Sequence, residues 1–506
     1  MILLQRTVFP AVNFDTTDDW NSLLSQDLTN GYLDEPGMKR LQALLSADCK
    51  SVVIERHYID KDYRNTFTHF HAKRFTTPPS RCLRLHFFSE HISEEQLKGE
   101  SDLLGENTKY LGYSVIRATR PNSIGRTLIC DTVRFDQSSH VCRCAENVHL
   151  MGTKLKVSGF PFISQDADAT VCAESALWML LRYFSNRYPN YRETLPFQIT
   201  QLASNHAVGR RVFPSGGLTS WQIAEALRLN QFAPLVYSPK LRKADETEEE
   251  YAKRRMQFEH LLYTYIESGF PLLVTVEGHV FTAYGHSSNF STAIPHSAGQ
   301  PFFSSSYNQS IIISDDNCYP YQTLNKAGPN SSICSRFSFN EITSFIVPLP
   351  EKVFLTAESA QSAIMNILDD PKTGIDAQSP TLAGEELTYR LYLTTTRSFK
   401  SKLRDRGMGN KIVSEYYRQL PLPHFIWVCE IALSEEYRNE HKIQGEVIWD
   451  ATRNAHEPQG WIAVHYPEIL SLDIGSALNS KKHVEAIKLQ GSTSYPLLTS
   501  NLKNQP

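Results

Sequence analysis

From Cys172 onward the apolar residues fall on one helical face. Ala173, Ala176, Leu177, Leu180, Leu181 and Phe184 recur at i, i+3, i+4, i+7, i+8 and i+11, the period of a helix with one buried stripe. A helix is therefore expected to start at Cys172, with Asp168 or Thr170 as its N-cap. A thiol at that end meets unpaired backbone N–H groups and the positive end of the helix dipole, which favour the thiolate. Such a stripe needs an apolar surface to cover it, and the chain must supply that surface elsewhere.

The best candidates lie a hundred residues downstream. LLVTV, a Glu277-Gly278 turn, HVFTAYGH and IIISDD read as consecutive strands. His279 opens one of them directly after the glycine, where its ring can point into a cleft and act as base to a thiol. A base needs an acceptor on its far nitrogen, and the third strand ends in two carboxylates. Strand alternation puts Ile311, Ile313 and Asp315 on one face and Ile312, Ser314 and Asp316 on the other. Asp315 is the favoured orienter and Asp316 the alternative. His286, seven residues beyond His279 on the same strand, is the alternative base. Gln165, seven residues before Cys172, can fold back to donate to a developing oxyanion, with the Cys172 backbone N–H as second donor.

At 506 residues the chain exceeds one core, and its composition changes along its length. Residues 1–148 mix a helical opening with strand-like runs at SVVIERH, LRLHFF, YSVIR and TLICDTVRF. Residues 149–350 hold the Cys172 helix, a second helix capped at Thr219 or Ser220, a charged stretch from Lys240 to Arg255 read as a solvated face, a further helix over 260–268, and the strands above. The PLPEK segment at Pro348 to Lys352 reads as a linker into a third α+β unit, 351–480, followed by a polar tail, 481–506. The fold class expected is α+β throughout. Ser287 to Ser310 has almost no apolar period and is expected to be a mobile flap beside the Cys172 cleft, with Pro295, Phe302 and Phe303 touching substrate.

A net charge of -3 supplies no global field for nucleic acid or anionic membranes. No run approaches the ~18 apolar residues of a membrane span. The nine cysteines form no regular framework, which suits a reducing, cytoplasmic compartment. Other motifs read blandly. HVCRCAENVH (His140 to His149) lacks the Cys-x-x-Cys gap of a zinc knuckle, so no metal is expected there. His69 and His71 are strand-spaced and read as exposed, and Trp427 and Trp449 read as core. No phosphate-binding loop or dinucleotide fingerprint occurs, and no cofactor is expected.

Gln165-Asp166 with Cys172-Ala-Glu-Ser-Ala-Leu, then Gly278-His279-Val-Phe-Thr-Ala-Tyr-Gly-His286, then Ile-Ile-Ile-Ser-Asp315-Asp316, resemble the papain-like cysteine peptidases. The resemblance is nearest to their bacteriocin-processing, double-glycine peptidase branch and spans about residues 150–350. It implies a helix carrying Cys172 packed on an antiparallel sheet carrying His279 and Asp315, with Gln165 at the oxyanion site. It also implies a protein or peptide substrate cleaved through an acyl-enzyme. Ala173 stands where the family has glycine, and Asp166 stands at papain's glutamine spacing. Two other functions remain open: a transglutaminase or deamidase acting on glutamine side chains, and a papain-like scaffold that binds without cleaving.

Overall fold

The computed structural model describes residues 9–15, 17–25, 29, 31–93, 96, 110–119, 123–135, 139–166, 171–204, 217–239, 246–291, 294, 301–326, 337–403, 411–454, 460–473, 484–490 and 494–498. Among the described residues, three antiparallel sheets of five, seven and six strands, two two-stranded ribbons and the helices between them make a mixed α+β architecture. Among the described residues no helix is long and apolar enough to cross a membrane.

The first sheet has five strands in sequence order: β1 (Ala11–Asn13), β2 (Ser51–Tyr58), β3 (Cys82–Phe88), β4 (Tyr110–Ile116) and β5 (Ile124–Ile129). β3, β4 and β5 are buried along their whole lengths, so both faces must be covered. Helix α1 (Glu35–Leu45), capped by the Asp34 carboxylate, lays Met38, Leu41, Leu44 and Leu45 on Val52, Ile54, Leu83, Leu85 and Phe87. The opposite face, with Val53, Tyr113, Val115 and Leu128, is covered by the hairpin of β7 (Cys144–Leu150) and β8 (Thr153–Gly159) through Val148, Leu150, Leu155 and Val157. Between the two, β6 (Ser139–Val141) leaves this unit and joins the next sheet. The expected boundary at 148 therefore cuts through a hairpin, because covering the first sheet requires both of its strands.

The central sheet runs β13 (Gln322–Asn325), β12 (Asn308–Ser314), β11 (His279–Ser288), β10 (Leu272–Val276), β14 (Ser344–Pro350), β9 (Phe232–Tyr237). β11 is its spine: β12 pairs along one side, while β10 and then β6 share the other. Gly285, where β6 crosses, has no room for a side chain, since a Cβ would lie 2.4 Å from the His140 carbonyl oxygen. Pro348 and Pro350 of the expected linker are strand residues of β14, so the chain leaves this sheet only after them.

Helix α2 (Lys61–His69) belongs to the first unit, and α3 (Cys172–Arg187) packs against the central sheet. Residues Ala173 to Phe184 of α3 are all buried, rather than one stripe of them. Thr282 on β11 donates to the Ala176 carbonyl at 3.1 Å, and on the other side Arg182 and the Trp178 ring N–H donate to Asp62 of α2 at 2.9 and 3.1 Å. The polar side of α3 is thus a docking face for the first unit. Following α4 (Pro196–Ser204), Thr219 caps α5 (Ser220–Leu229). Residues 248–255 of the charged stretch and the expected helix at 260–268 form one twenty-residue helix, α6 (Glu248–Glu267), capped by Thr247; residues 240–245 lie outside the described residues.

The third sheet orders β15 (Leu387–Thr395), β16 (Phe425–Leu433), β18 (Gly445–Asp450), β19 (Trp461–Tyr466), β20 (Ile469–Asp473), β21 (Val484–Lys488), with β17 (Lys442–Ile443) pairing β22 (Tyr495–Pro496) at its side. Trp427 and Trp449 face each other across β16 and β18 in the core. The segment expected to be a polar tail supplies β21 and β22 and buries Leu489, Tyr495 and Leu498, because the sheet needs them to cover its end. A buried charge cluster joins this unit to the central sheet. Arg390 reaches Glu267 at 2.9 Å, Glu430 at 2.7 Å and the Leu498 carbonyl at 2.9 Å. Burial opposes the Glu267 charge, but Arg390 and His286 hold its carboxyl well below the usual range.

His86 on β3 gives the first unit a defined response to acid. It is fully buried, with Nδ1 2.9 Å from the Tyr110 hydroxyl and Nε2 3.4 Å from Glu55. Burial, and secondarily Arg84, pull its pKa from 6.5 down to about 4, against the opposing pull of Glu55. A depressed pKa means the neutral ring contributes stability above ~6.5 that is lost as pH falls toward about 4, on the order of 3 kcal/mol in all. Urea unfolding followed from pH 7 to 4 should show this loss, and His86→Gln should flatten it. An unchanged slope in the variant would assign the acid sensitivity elsewhere.

Candidate active site

Cys172 is the first residue of α3, where its neighbour Val171 is the N-cap and makes no side-chain capping bond. The expected caps, Asp168 and Thr170, lie outside the described residues. Val171 having no polar side chain to cap them, the first N–H groups of the helix lie at the thiol's end of the site. Cys172 is partly exposed, as is Cys130, whereas Cys49, Cys82, Cys142, Cys144 and Cys429 are buried free thiols. Burial pushes the thiols of Cys49, Cys142 and Cys144 up to about 12, which makes them inert. Cys318 is disulfide-bonded, so the cysteine set is not wholly reduced as expected.

His279 reaches the same place from the sheet. The Glu277-Gly278 turn, with Gly278 at φ 71°, reverses the chain so that Val276 pairs His279 across β10 and β11. Thr282 of β11 pairs Ser314 of β12, which sets His279 and Asp315 at one end of the hairpin. The ring Nε2 lies 2.9 Å from Asp315 Oδ1 and 3.5 Å from Asp316 Oδ1. Nε2 being committed to the acids, Nδ1 is the nitrogen left to face the thiol. Burial pulls the His279 pKa down, yet it is raised to about 10, by the hydrogen bond to Asp315, by hydrogen bonding to Cys172 and by the charges of Asp315 and Asp316. A proton held on the ring at neutral pH leaves Nδ1 able to donate toward Cys172.

The structure groups Cys172, His279, Asp315, Asp316 and Gln165. Gln165 donates to the Asn317 side-chain oxygen, and the Asn317 backbone N–H donates to Asp315 Oδ1 at 3.0 Å. A continuous polar chain therefore runs from Gln165 through Asn317 and Asp315 to His279 and Cys172. One of the two amide hydrogens of Gln165 is used in it. Asp315 and Asp316 both flank the ring, although strand alternation separates them, because β12 ends at Ser314 and the chain turns. Burial raises the Asp316 pKa to about 7; the His279 charge opposes this and the Asp315 charge adds to it.

Three contributors had no sequence signal. Phe337 stacks on the His279 ring at 5.4 Å between centroids. Asn317 links Gln165 to the acids. Arg40 of α1 in the first unit lies within electrostatic reach of both Asp315 and Asp316, as well as Asp34. Each comes from sequence far from the helix and strands that carry the motif, or from a loop, where no periodicity marks it.

Several expectations fail here. His286 is not placed to act as base: its Nε2 is 2.8 Å from Glu267, fully buried in the charge cluster that docks the third unit, seven residues along β11 from His279. Asp166, which an ionised carboxylate's lack of a proton already kept from the oxyanion role, is buried 3.9 Å from His71 of the first unit. The described ends of the Ser287–Ser310 segment lie far from His279, and residues 292, 293 and 295–300 lie outside the described residues. Antiparallel pairing sends β11 away from His279, and Ser288 pairs Asn308 at the far end, ~30 Å along a ten-residue strand. The Phe302 carbonyl accepts from Tyr389 N–H at 2.8 Å and Phe303 pairs with Tyr389, so both residues dock the third unit. Pro295 lies outside the described residues. His69 ends α2 and stacks on Phe197 at 3.8 Å, while His71 is buried, because THFHAKRF is helical rather than extended. His140 packs at a tilt against His286, Cys142 and Cys144 are core, and His149 is exposed, so these four do not converge.

Comparison with protein-family models, with curated proteins and with solved structures gives no match for this chain.

In the folded chain, iodoacetamide should modify Cys172 ahead of every buried thiol, read by peptide mapping, with partly exposed Cys130 as the internal reference. His279→Ala should slow modification of Cys172 by roughly 10-fold or more while leaving Cys130 unaffected. Equal slowing at both cysteines would mean that His279 does not act on this thiol.

Proposed function

We propose that this protein is a thiol hydrolase that cleaves a peptide or isopeptide bond through Cys172, His279 and Asp315. The observation that carries the reading is the convergence of a helix-terminal thiol with a histidine whose far nitrogen is 2.9 Å from a buried carboxylate. Each group has a distinct task in acyl transfer. Cys172 sulfur attacks the carbonyl carbon as the thiolate, and the oxyanion is received by the Cys172 backbone N–H and a Gln165 amide hydrogen. The His279 Nδ1 proton goes to the leaving amine, whose departure gives the thioester. The neutral ring then takes a proton from water as hydroxide adds to the thioester carbon, and the acid and thiolate are released. Asp315 holds the ring so that Nδ1 faces sulfur in both half-reactions.

The resemblance to papain-like peptidases supports the same reading, with a protein or peptide as the substrate class. A transglutaminase or deamidase shares the triad and differs only in the acyl group attacked and in the acceptor. Product analysis separates them: hydrolysis makes new N-termini, deamidation adds about one dalton at glutamine, and transamidation joins two chains.

The decisive experiment compares new N-termini in a proteome treated with the full chain or with Cys172→Ala. The hydrolase reading requires termini that depend on Cys172; their absence, with Cys172 still alkylated at the Cys130 rate, would reduce the domain to a binding module. On a substrate so identified, Asp315→Ala should lower kcat by roughly 100- to 10,000-fold with little change in KM. A change confined to KM would make Asp315 a substrate-binding group.

A further inference from the structure

The triad as described uses one carboxylate, yet two face the ring. Asp316 is 1% exposed, its Oδ1 stands 3.5 Å from His279 Nε2, and neither of its oxygens accepts a hydrogen bond from another residue. A buried carboxylate without a donor is costly unless something else neutralises it. Together with Asp315 Oδ1, 2.9 Å from the same nitrogen, it completes a group of three donor atoms lying within 4.8 Å of one another. Donor atoms around a tetrahedral zinc ion, with bonds of ~2.0–2.1 Å, are spaced ~3.3 Å apart. The observed separations of 2.9 and 3.5 Å bracket that spacing. One imidazole and two carboxylates, with a fourth position open to water, are a borderline-hard set suited to Zn2+.

We propose that His279, Asp315 and Asp316 form a binding site for a divalent zinc-class cation, and that occupancy switches the thiol chemistry off. The inhibitory half rests on the hydrolase reading. The binding half does not. The proton balance explains the inhibition. The ion takes the Nε2 lone pair and the Nε2 proton goes to solvent, which leaves one ring proton on Nδ1, facing sulfur. Giving that proton to a leaving amine would produce an imidazolate on the metal, a far weaker route than loss of a proton from an imidazolium. Nor can Nδ1 accept a proton from the thiol, having no free lone pair. Asp315 changes from orienter to ligand at the same time. The cation of Arg40 faces both acids and works against the ion, as does the Asn317 N–H already bound to Asp315.

The test uses the full chain carrying Cys172→Ala, freed of metal and titrated with Zn2+ by calorimetry and with Co2+ by visible absorption. One ion per chain is expected, with a Co2+ spectrum lacking any thiolate charge-transfer band in the unmodified chain as well. Asp316→Asn in the Cys172→Ala background should weaken Zn2+ binding at least about 100-fold, and Asp315→Asn should do the same. Thermal melts verify that each variant is folded, and either variant suffices if the other is not. Unchanged affinity in the folded variants overturns the site. So does binding that vanishes with Cys172→Ala or a thiolate band in the unmodified chain, since the ion would then sit on sulfur. In the unmodified chain, Zn2+ should abolish hydrolysis at the concentration that fills the site. Binding that persists in a chain without any hydrolase activity upholds the site and sinks the reading on which its inhibitory role depends. Hydrolysis without zinc binding does the reverse.

Discussion

The pairing of β11 with β12 is the constraint on which the site depends. Thr282 opposite Ser314 fixes the hairpin register, and that register alone brings His279 and Asp315 to one end. A one-residue slip would turn the ring and the carboxylate to opposite faces. The same Thr282 donates to the Ala176 carbonyl, so one residue sets the strand against its partner strand and against the helix that carries Cys172. The Cys172 helix, His279 and Asp315 are therefore positioned by rigid elements, as the proposed chemistry would require.

The first unit is part of that site rather than an appendage. Arg117 donates to the Ser164 carbonyl at 2.9 Å and the Ser164 backbone N–H bonds Ile124, so the segment leading to Gln165 is strung along the edge of β5. Asp62 of α2 holds Arg182 and Trp178 on the side of α3 away from the sheet. Arg40 adds a positive charge near the two acids. Removing this unit would expose the buried polar face of α3 and release the Gln165 segment, which is why a minimal central fragment is not an equivalent protein. The third unit is coupled differently, through one buried cluster in which Arg390 meets Glu267 and Glu430. Buried charges of this kind specify a single docking geometry because any other leaves one of them unpaired.

Much of the site was legible in the sequence because its parts carry local signals. The helical period from Cys172 located the helix start to the residue. Gly278 before His279 marked the turn, and the apolar run before Asp315 marked the strand end. The two carboxylates could not be separated by strand parity, since the chain leaves the sheet at Ser314 and parity no longer applies. His286 and the described ends of the Ser287–Ser310 segment lie far from His279 for one reason: an antiparallel strand carries its far end away, so proximity along the chain is not proximity in space.

The sequence by itself determined the Cys172 helix, the strands that became β10, β11 and β12, the α+β character, and which thiol, imidazole and carboxylates could form a constellation. Those features rest on short-range physics, namely apolar period, cap residues and glycine at a turn. Tertiary structure decided what lies on the other side of each element. Residues 344–350 became a central strand, the C-terminal segment became β21 and β22, and α3 was buried all round because the first unit covers its polar side with Asp62. The convergence of Asp316 and Arg40 on His279 was settled in the same way. Such contacts join residues far apart along the chain, or gathered where it turns, and no periodic pattern in the sequence encodes them.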